Sequence, residues 1–391
     1  MKKRKFKISG RLILNLAVAA LCIWMIFYFL YSEQGLYDLL ASPQGINSGW
    51  IFAALLSYCT SVFADVLVIY LYIHDEYKQF KIRHSARSVL LGLFWSAITP
   101  SSTGGQPMQV YYMSKHKVDV GYSSSRLLNR FLVYQITMTV MTVIAVILKF
   151  SYFQEHMDTP ILSTLVTIGF ISQTFITLVF VFLAFSKKLT AKATRGIAAL
   201  LCKVKLVKDK ERLKKSLETQ LAKFHTGNRM IFSKPKLVLA ATLLTVVQLI
   251  AMFMVPYFIY RSFGLSEASP FDMVCSQAFV TLISGMIPIP GASGAAEFSF
   301  TALFALFFTP ATIKSATLIW RIITYYLSIL VGAPFAYMTK TTKRNKLLDD
   351  LIADEEAFDS PESDDEEELS TSEDEKDDSV VSEKIQEESP L

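Results

Sequence analysis

Six stretches of this chain stay apolar for about the 20 residues that a helix needs to cross a bilayer. They are 12–31, 50–73, 126–149, 160–185, 237–260 and 313–338. In hydrocarbon each backbone N–H and C=O must be satisfied inside its own segment, so such runs fold as helices. Two further stretches, 88–113 and 271–309, have the length but not the continuity. The first is broken by ITPSSTGGQPM at 98–108 and the second by PIPGASGAAE at 288–297. With 52% hydrophobic and 19% charged residues, the composition excludes an ordinary soluble domain and predicts an all-α polytopic membrane protein.

The net charge of +5 conceals two opposite regions. Residues 349–391 hold 20 acids and two lysines, a balance of −18, which leaves +23 for residues 1–348. The tail cannot bury a core and is expected to be disordered and solvated, with competition for the protein's own basic surfaces as the other reading. Residues 1–348 are expected to form one membrane domain, with a basic loop at 187–236 that lies on an anionic leaflet or covers the domain. Cys22, Cys59, Cys202 and Cys275 have no metal-ligand spacing, and no nucleotide-binding or nucleophile motif is found. Nothing in the sequence points to a metal, a cofactor or nucleic acid, and the oligomeric state is left open.

Lys and Arg near the helix ends predict orientation. Residues 1–11 carry six, 74–87 carry Lys78, Lys81, Arg83 and Arg87, and 187–236 carry fifteen against three acids. Residues 32–49 and 150–159 carry none. Both termini are therefore expected in the cytoplasm. The pattern closes only if each broken segment returns to the side it came from, the first from inside and the second from outside. Both are expected to be re-entrant hairpins. The halves 50–149 and 237–338 then repeat helix, hairpin, helix with inverted topology, an arrangement that places binding sites near the midplane. Trp50 to Gly104 spans 54 residues, as does Leu237 to Gly291, which sets those two glycines against each other.

Non-helical backbone at membrane depth survives only where protein buries it or water reaches it. The tips, Ser101, Ser102, Thr103, Gly104, Gly105 and Gln106 in one half and Pro290, Gly291 and Gly294 in the other, are thus candidates to offer N–H groups to a phosphate. Tight turns between packed helices are the plainer reading. Ionisable groups in apolar runs need partners or a cavity. Asp65, Arg126, Arg130, Glu297 and Arg321 are such groups. Glu297–Arg321 and Asp65–Arg130 are the expected pairs, either static ties or a phosphate site, with Asp65 a candidate coupling group.

The motifs ITPSSTGGQPMQVYYM, PIPGASGAAEFSF and WRIITYYLSILVGAP resemble the membrane region of the lysylphosphatidylglycerol synthase/flippase family, whose bacterial multiple-peptide-resistance members are best known. The likeness covers roughly residues 10–340. A tip of the form G-G-[EQ]-P falls on Gly104, Gly105, Gln106 and Pro107. A second, P-x-P-G-x-x-G-x-x-E, falls on Pro288, Pro290, Gly291, Gly294 and Glu297. Gln106 stands where many members have Glu. The resemblance implies a multi-pass protein of the bacterial cell membrane that translocates or binds a phosphate-bearing lipid, such as an aminoacylated phosphatidylglycerol. Full-length members append a cytosolic lysyltransferase domain with no counterpart in this sequence. Lysyl transfer by this chain, the second reading, would need a separate lipid-modifying enzyme. A secondary transporter of a small anion is the third.

Overall fold

A computed structural model describes residues 46–156, 160–186, 219, 223, 226 and 233–338. The first apolar run, most of the basic loop and the acidic tail lie outside the described residues. Among the described residues there are eleven α-helices and no strands.

Helix α1, Ser48–His74, starts where Asn47 accepts a hydrogen bond from the Gly49 N–H at 3.0 Å. A hairpin follows, made of α2 (Ile82–Ile98) and α3 (Gly105–Ser114). Then come α4 (Val120–His156) and α5 (Pro160–Phe185). The next span is divided between α6 (Pro235–Phe253) and α7 (Val255–Ser262), with Pro256 in the first turn of α7. A second hairpin is made of α8 (Pro270–Met286) and α9 (Ala295–Phe304). The last span comprises α10 (Ile313–Arg321), a π turn at Ile322–Tyr326, and α11 (Leu327–Met338). Four helical units are long and apolar enough to cross a membrane: Ser48–His74, Val120–Leu148, Pro235–Ser262 and Ile313–Ala336. In α5, the apolar stretch is Val166–Val179.

The helix ends differ from those the sequence suggests. The helix expected from 126 begins at Val120, because polar Ser123 and Ser125 bond back to the carbonyls of Val120 and Tyr122 and tolerate a helix there. The run 237–260 is broken at Met254, and the run 313–338 widens into the π turn.

The two hairpins match closely. Each has an arm of 17 residues, a three-residue turn and an arm of 10 residues. Proline ends the first arm in both cases, since it lacks an N–H and forces the residue before it into an extended conformation. Thr99 sits at φ −110°, ψ 146°, and Ile289 at φ −107°, ψ 146°. Pro100 and Pro290, 190 residues apart (290 − 100), therefore correspond. This corrects the register read from the sequence: Gly104 answers to Gly294, and Gly291 answers to Ser101.

The two tips pack against each other. The Tyr325 hydroxyl, from the π turn, donates to the Ala97 carbonyl at the end of α2 at 3.0 Å. Helices α2 and α11 lie side by side, close enough that a Cβ on Gly332 would stand 2.6 Å from the Leu90 carbonyl. Such small-residue contacts are how helices approach without a hydrophobic driving force between them. The main core gathers aromatic residues of the second half, with Phe300 stacked between Phe304 and Trp320 at 4.3 and 4.5 Å.

Candidate functional site

Both expected ion pairs are formed. Arg130, on α4, grips Asp65, on α1, with two bonds: Nε to Oδ1 at 2.6 Å and Nη2 to Oδ2 at 2.5 Å. The Asp65 side chain is 6% exposed and that of Arg130 is 20% exposed. Arg321, at the end of α10, gives Nε to Glu297 Oε1 at 2.7 Å and Nη2 to the Gly291 carbonyl at 3.1 Å. The other Glu297 oxygen accepts from the Gly294 N–H at 2.7 Å. Arg321 also lies between the rings of Trp320 and Tyr325, at 5.1 and 5.2 Å.

These details separate the pairs. Glu297 and Arg321 close the second tip on itself. Asp65 and Arg130 instead adjoin a cavity of about 180 Å³. Its polar lining consists of Tyr58, Ser61, Asp65, Gln248, Thr324 and Ser328. The hydroxyls of Tyr58 and Ser328 meet at 2.5 Å across it. Asp65 was read from the sequence, but the other five polar groups were not. Tyr58, Ser61 and Asp65 are spaced i, i+3, i+7 along an apolar helix. That single polar stripe is the signal that could have found the cavity. Gln248, Thr324 and Ser328 come from distant helices and carry no such signal.

The tip residues satisfy themselves. The N–H groups of Ser102 and Thr103 bond to the carbonyls of Thr99 and Pro100, and Gly104 N–H bonds to Thr99 Oγ1 at 2.8 Å. Ala292 and Ser293 do the same in the second tip. The first tip holds Ser101 and Ser102 at φ 50° and 54°, a left-handed conformation that costs a side-chain-bearing residue about 1–2 kcal/mol. Ser101, Ser102 and Thr103 are exposed. Gly104 and Gly105 face α2: a Cβ on Gly105 would stand 2.0 Å from Ser96 Oγ, and one on Gly104 2.7 Å from the Thr99 side chain. A Cβ on Gly291 would stand 2.4 Å from the Tyr325 ring. Gln106 is partly buried, and Pro290 borders the same turn as Gly291. The structure thus brings Arg321 to its tip, whereas Arg130 is held by α1.

Arg126 lies one turn from Arg130 towards the start of α4 and is fully buried. It stacks over Tyr122 at 4.5 Å and lies 3.8 Å from Asp75, which Lys234 holds at 2.7 Å. None of its guanidinium nitrogens makes a hydrogen bond, which is rare for a buried cation. It does not line the cavity. Nearby, Asp119 anchors the exit of the first hairpin, bonded by Tyr77 and Lys223, each at 2.8 Å. Burial alone would raise the Asp119 carboxyl, but the bonds from Lys223 and Tyr77 outweigh it and hold it below the usual carboxylate range.

A second hollow, of about 430 Å³, lies between α4, α6 and α8. Ile136, Val140, Ile144, Val246, Ile250 and Phe271 are among its walls, nearly all apolar. It shares α4 and α6 with the polar cavity.

The family model described as lysylphosphatidylglycerol synthase TM region matches residues 12–332. The chain is also 29% identical over 259 residues to a UPF0104 membrane protein of Archaeoglobus fulgidus, an alignment that covers 64% of this chain and 74% of that one.

Proposed function

Since the chain belongs to the family of the lysylphosphatidylglycerol synthase transmembrane region, we propose that it is a flippase-like protein that moves or binds a phosphate-bearing lipid between leaflets. In this reading the hairpins are re-entrant, the first entering from the cytoplasm and the second from outside, with the C-terminus cytoplasmic. The observation that carries the reading is the pairing of two unlike hollows along α4 and α6. One is polar and bordered by an arginine, suited to a headgroup, and the other is apolar and suited to acyl chains. Lipid sites need both, because a headgroup loses its hydration at membrane depth and must recover it from polar side chains.

Reconstitution into vesicles with labelled phospholipids and lipid-linked phosphates tests this directly. Leaflet exchange above that of protein-free vesicles is expected for at least one phosphate-bearing lipid. No exchange and no binding across the panel ends the reading. The topology has its own test: in a cysteine-free background, a cysteine at Ser266 should react with an impermeant thiol reagent from outside and one at Ser114 should not. Labelling of Ser114 from outside removes the re-entrant first hairpin.

A small-anion transporter is the second reading, favoured by the modest size of the polar cavity. It predicts binding of soluble phosphate esters that acyl chains do not strengthen.

A further inference from the structure

We propose that the Asp65–Arg130 pair links the binding of a phosphate-type anion to the uptake of one proton, so that protons are a co-substrate of this protein. The anion itself rests on the lipid reading above. The argument begins with the geometry of the pair. Nε and Nη2 of Arg130 present one flat, two-pronged face, and Asp65 occupies both prongs. A phosphate diester that binds this face bidentately takes the place of the carboxylate. Arg130 is partly exposed and can be reached, while Asp65 is buried.

The groups that face Asp65 decide what happens to it next. From α4 come Arg130 and Tyr134; from its own helix, Tyr58 and Ser61; from α6, Gln248; from the π turn and α11, Thr324 and Ser328; from α2, Leu93. Arg130 is the one cation in this set. With Arg130 engaged elsewhere, Asp65 is a bare carboxylate at membrane depth, which is strongly disfavoured. The carboxylate then accepts a proton from water in the adjoining cavity, whose polar walls and volume admit several water molecules. One O–H bond forms on Asp65, and one breaks on the hydronium that delivered the proton. The charge in the site is conserved, since one anion and one proton enter together. When the anion leaves, Arg130 returns and the proton is released. The other pair is not built for this exchange. Glu297 holds the Gly294 N–H and Arg321 holds the Gly291 carbonyl, so parting them would open the tip.

Calorimetric titration of the full chain in nanodiscs tests the linkage. Two probes are used: a short-chain phosphatidylglycerol, and dimethyl phosphate, the same diester without acyl chains. Each is titrated at neutral pH in two buffers of different ionisation enthalpy. The difference in heat is expected to report uptake of about one proton per bound anion in the natural protein, to vanish in Asp65→Asn and to persist in Glu297→Gln. Asp65→Glu should retain it. A measurement without variants guards against misfolding: the infrared difference spectrum of the natural protein on adding the phosphatidylglycerol should gain a protonated-carboxyl band. Binding without proton uptake, uptake unchanged in Asp65→Asn, or no binding of either probe each overturns the proposal. Leaflet exchange that persists without proton uptake removes the linkage alone. Proton uptake with dimethyl phosphate but none with the lipid removes the lipid reading and leaves the linkage.

Discussion

The two hairpins share one backbone but are wired differently. At corresponding positions, the N–H of Gly104 is satisfied by the hydroxyl of Thr99 and that of Gly294 by the carboxylate of Glu297. The first tip closes with neutral groups and needs no cation, which leaves Arg130 to reach α1. The second tip closes with a charge and takes Arg321 to neutralise it. An inverted repeat therefore does not imply repeated chemistry. One arginine is committed to structure, and the other borders a cavity.

The largest expected effect follows from the commitment of Arg321. Arg321→Gln strands Glu297 and the Gly291 carbonyl. Removing one partner of a buried pair costs about 3–5 kcal/mol, and a large drop in thermal stability should be seen in detergent. Arg321→Gln with Glu297→Gln should regain much of this. If the double variant also regains full leaflet exchange, Arg321 has no part in the lipid site. Arg130→Gln should destabilise less than Arg321→Gln, because Asp65 beside a polar cavity can take up water or a proton. Equal losses would show that the two pairs are alike after all.

Smaller effects should distinguish the tips. Gly291→Val meets the Tyr325 ring at once, and overpacking of this kind costs about 1–3 kcal/mol beyond the strain at φ +62°. At the corresponding position, Ser101→Gly relieves a left-handed serine and should change stability by less than about 1 kcal/mol. A destabilised Ser101→Gly would mean that the strained serine has contacts of its own.

The smallest effect concerns the hairpin exits. Asp119, bonded to Tyr77 and Lys223, ties the first exit, while Thr309 and Thr312 tie the second through hydroxyls. The folded-state Asp119 carboxyl lies below its ordinary range, so its contribution is complete above that range and is lost as pH falls through the lower, folded value. Hydrogen exchange after the first hairpin should therefore quicken on acidification below the ordinary carboxylate range, and after the second it should not. Asp119→Asn, at a half-exposed pair worth up to about 1 kcal/mol, should remove the difference.

How far the sequence could be read follows from the same contrasts. The hairpins were legible because proline and glycine at membrane depth have few other uses. The two ion pairs were legible because a buried charge must find an opposite one, and each half offered few choices. The register between halves was not. It was measured from helix starts and from matching glycines, whereas the structure matches prolines, and Gly291 answers to a serine. The roles of Gly104 and Gly105 were also hidden, since a glycine that lets two helices touch looks in sequence like one that lets a ligand approach. Arg126 reads as a partner for lipid but is buried against Tyr122, a contact that depends on where α4 begins.

The π turn at Ile322–Tyr326 has a consequence of another kind. A π turn holds one more residue than the α turn it replaces. Its residues supply Thr324 to the cavity and Tyr325 to the opposite hairpin, and Ser328 follows within α11. Removing a single residue there would let the helix relax to ordinary pitch and rotate all that follows by about 100°. Ser328 would turn away from Tyr58 and Gly332 from Leu90. In genetic terms this is a reading frame written in the backbone: a loss of one codon within these five should be far less tolerated than most single substitutions among them.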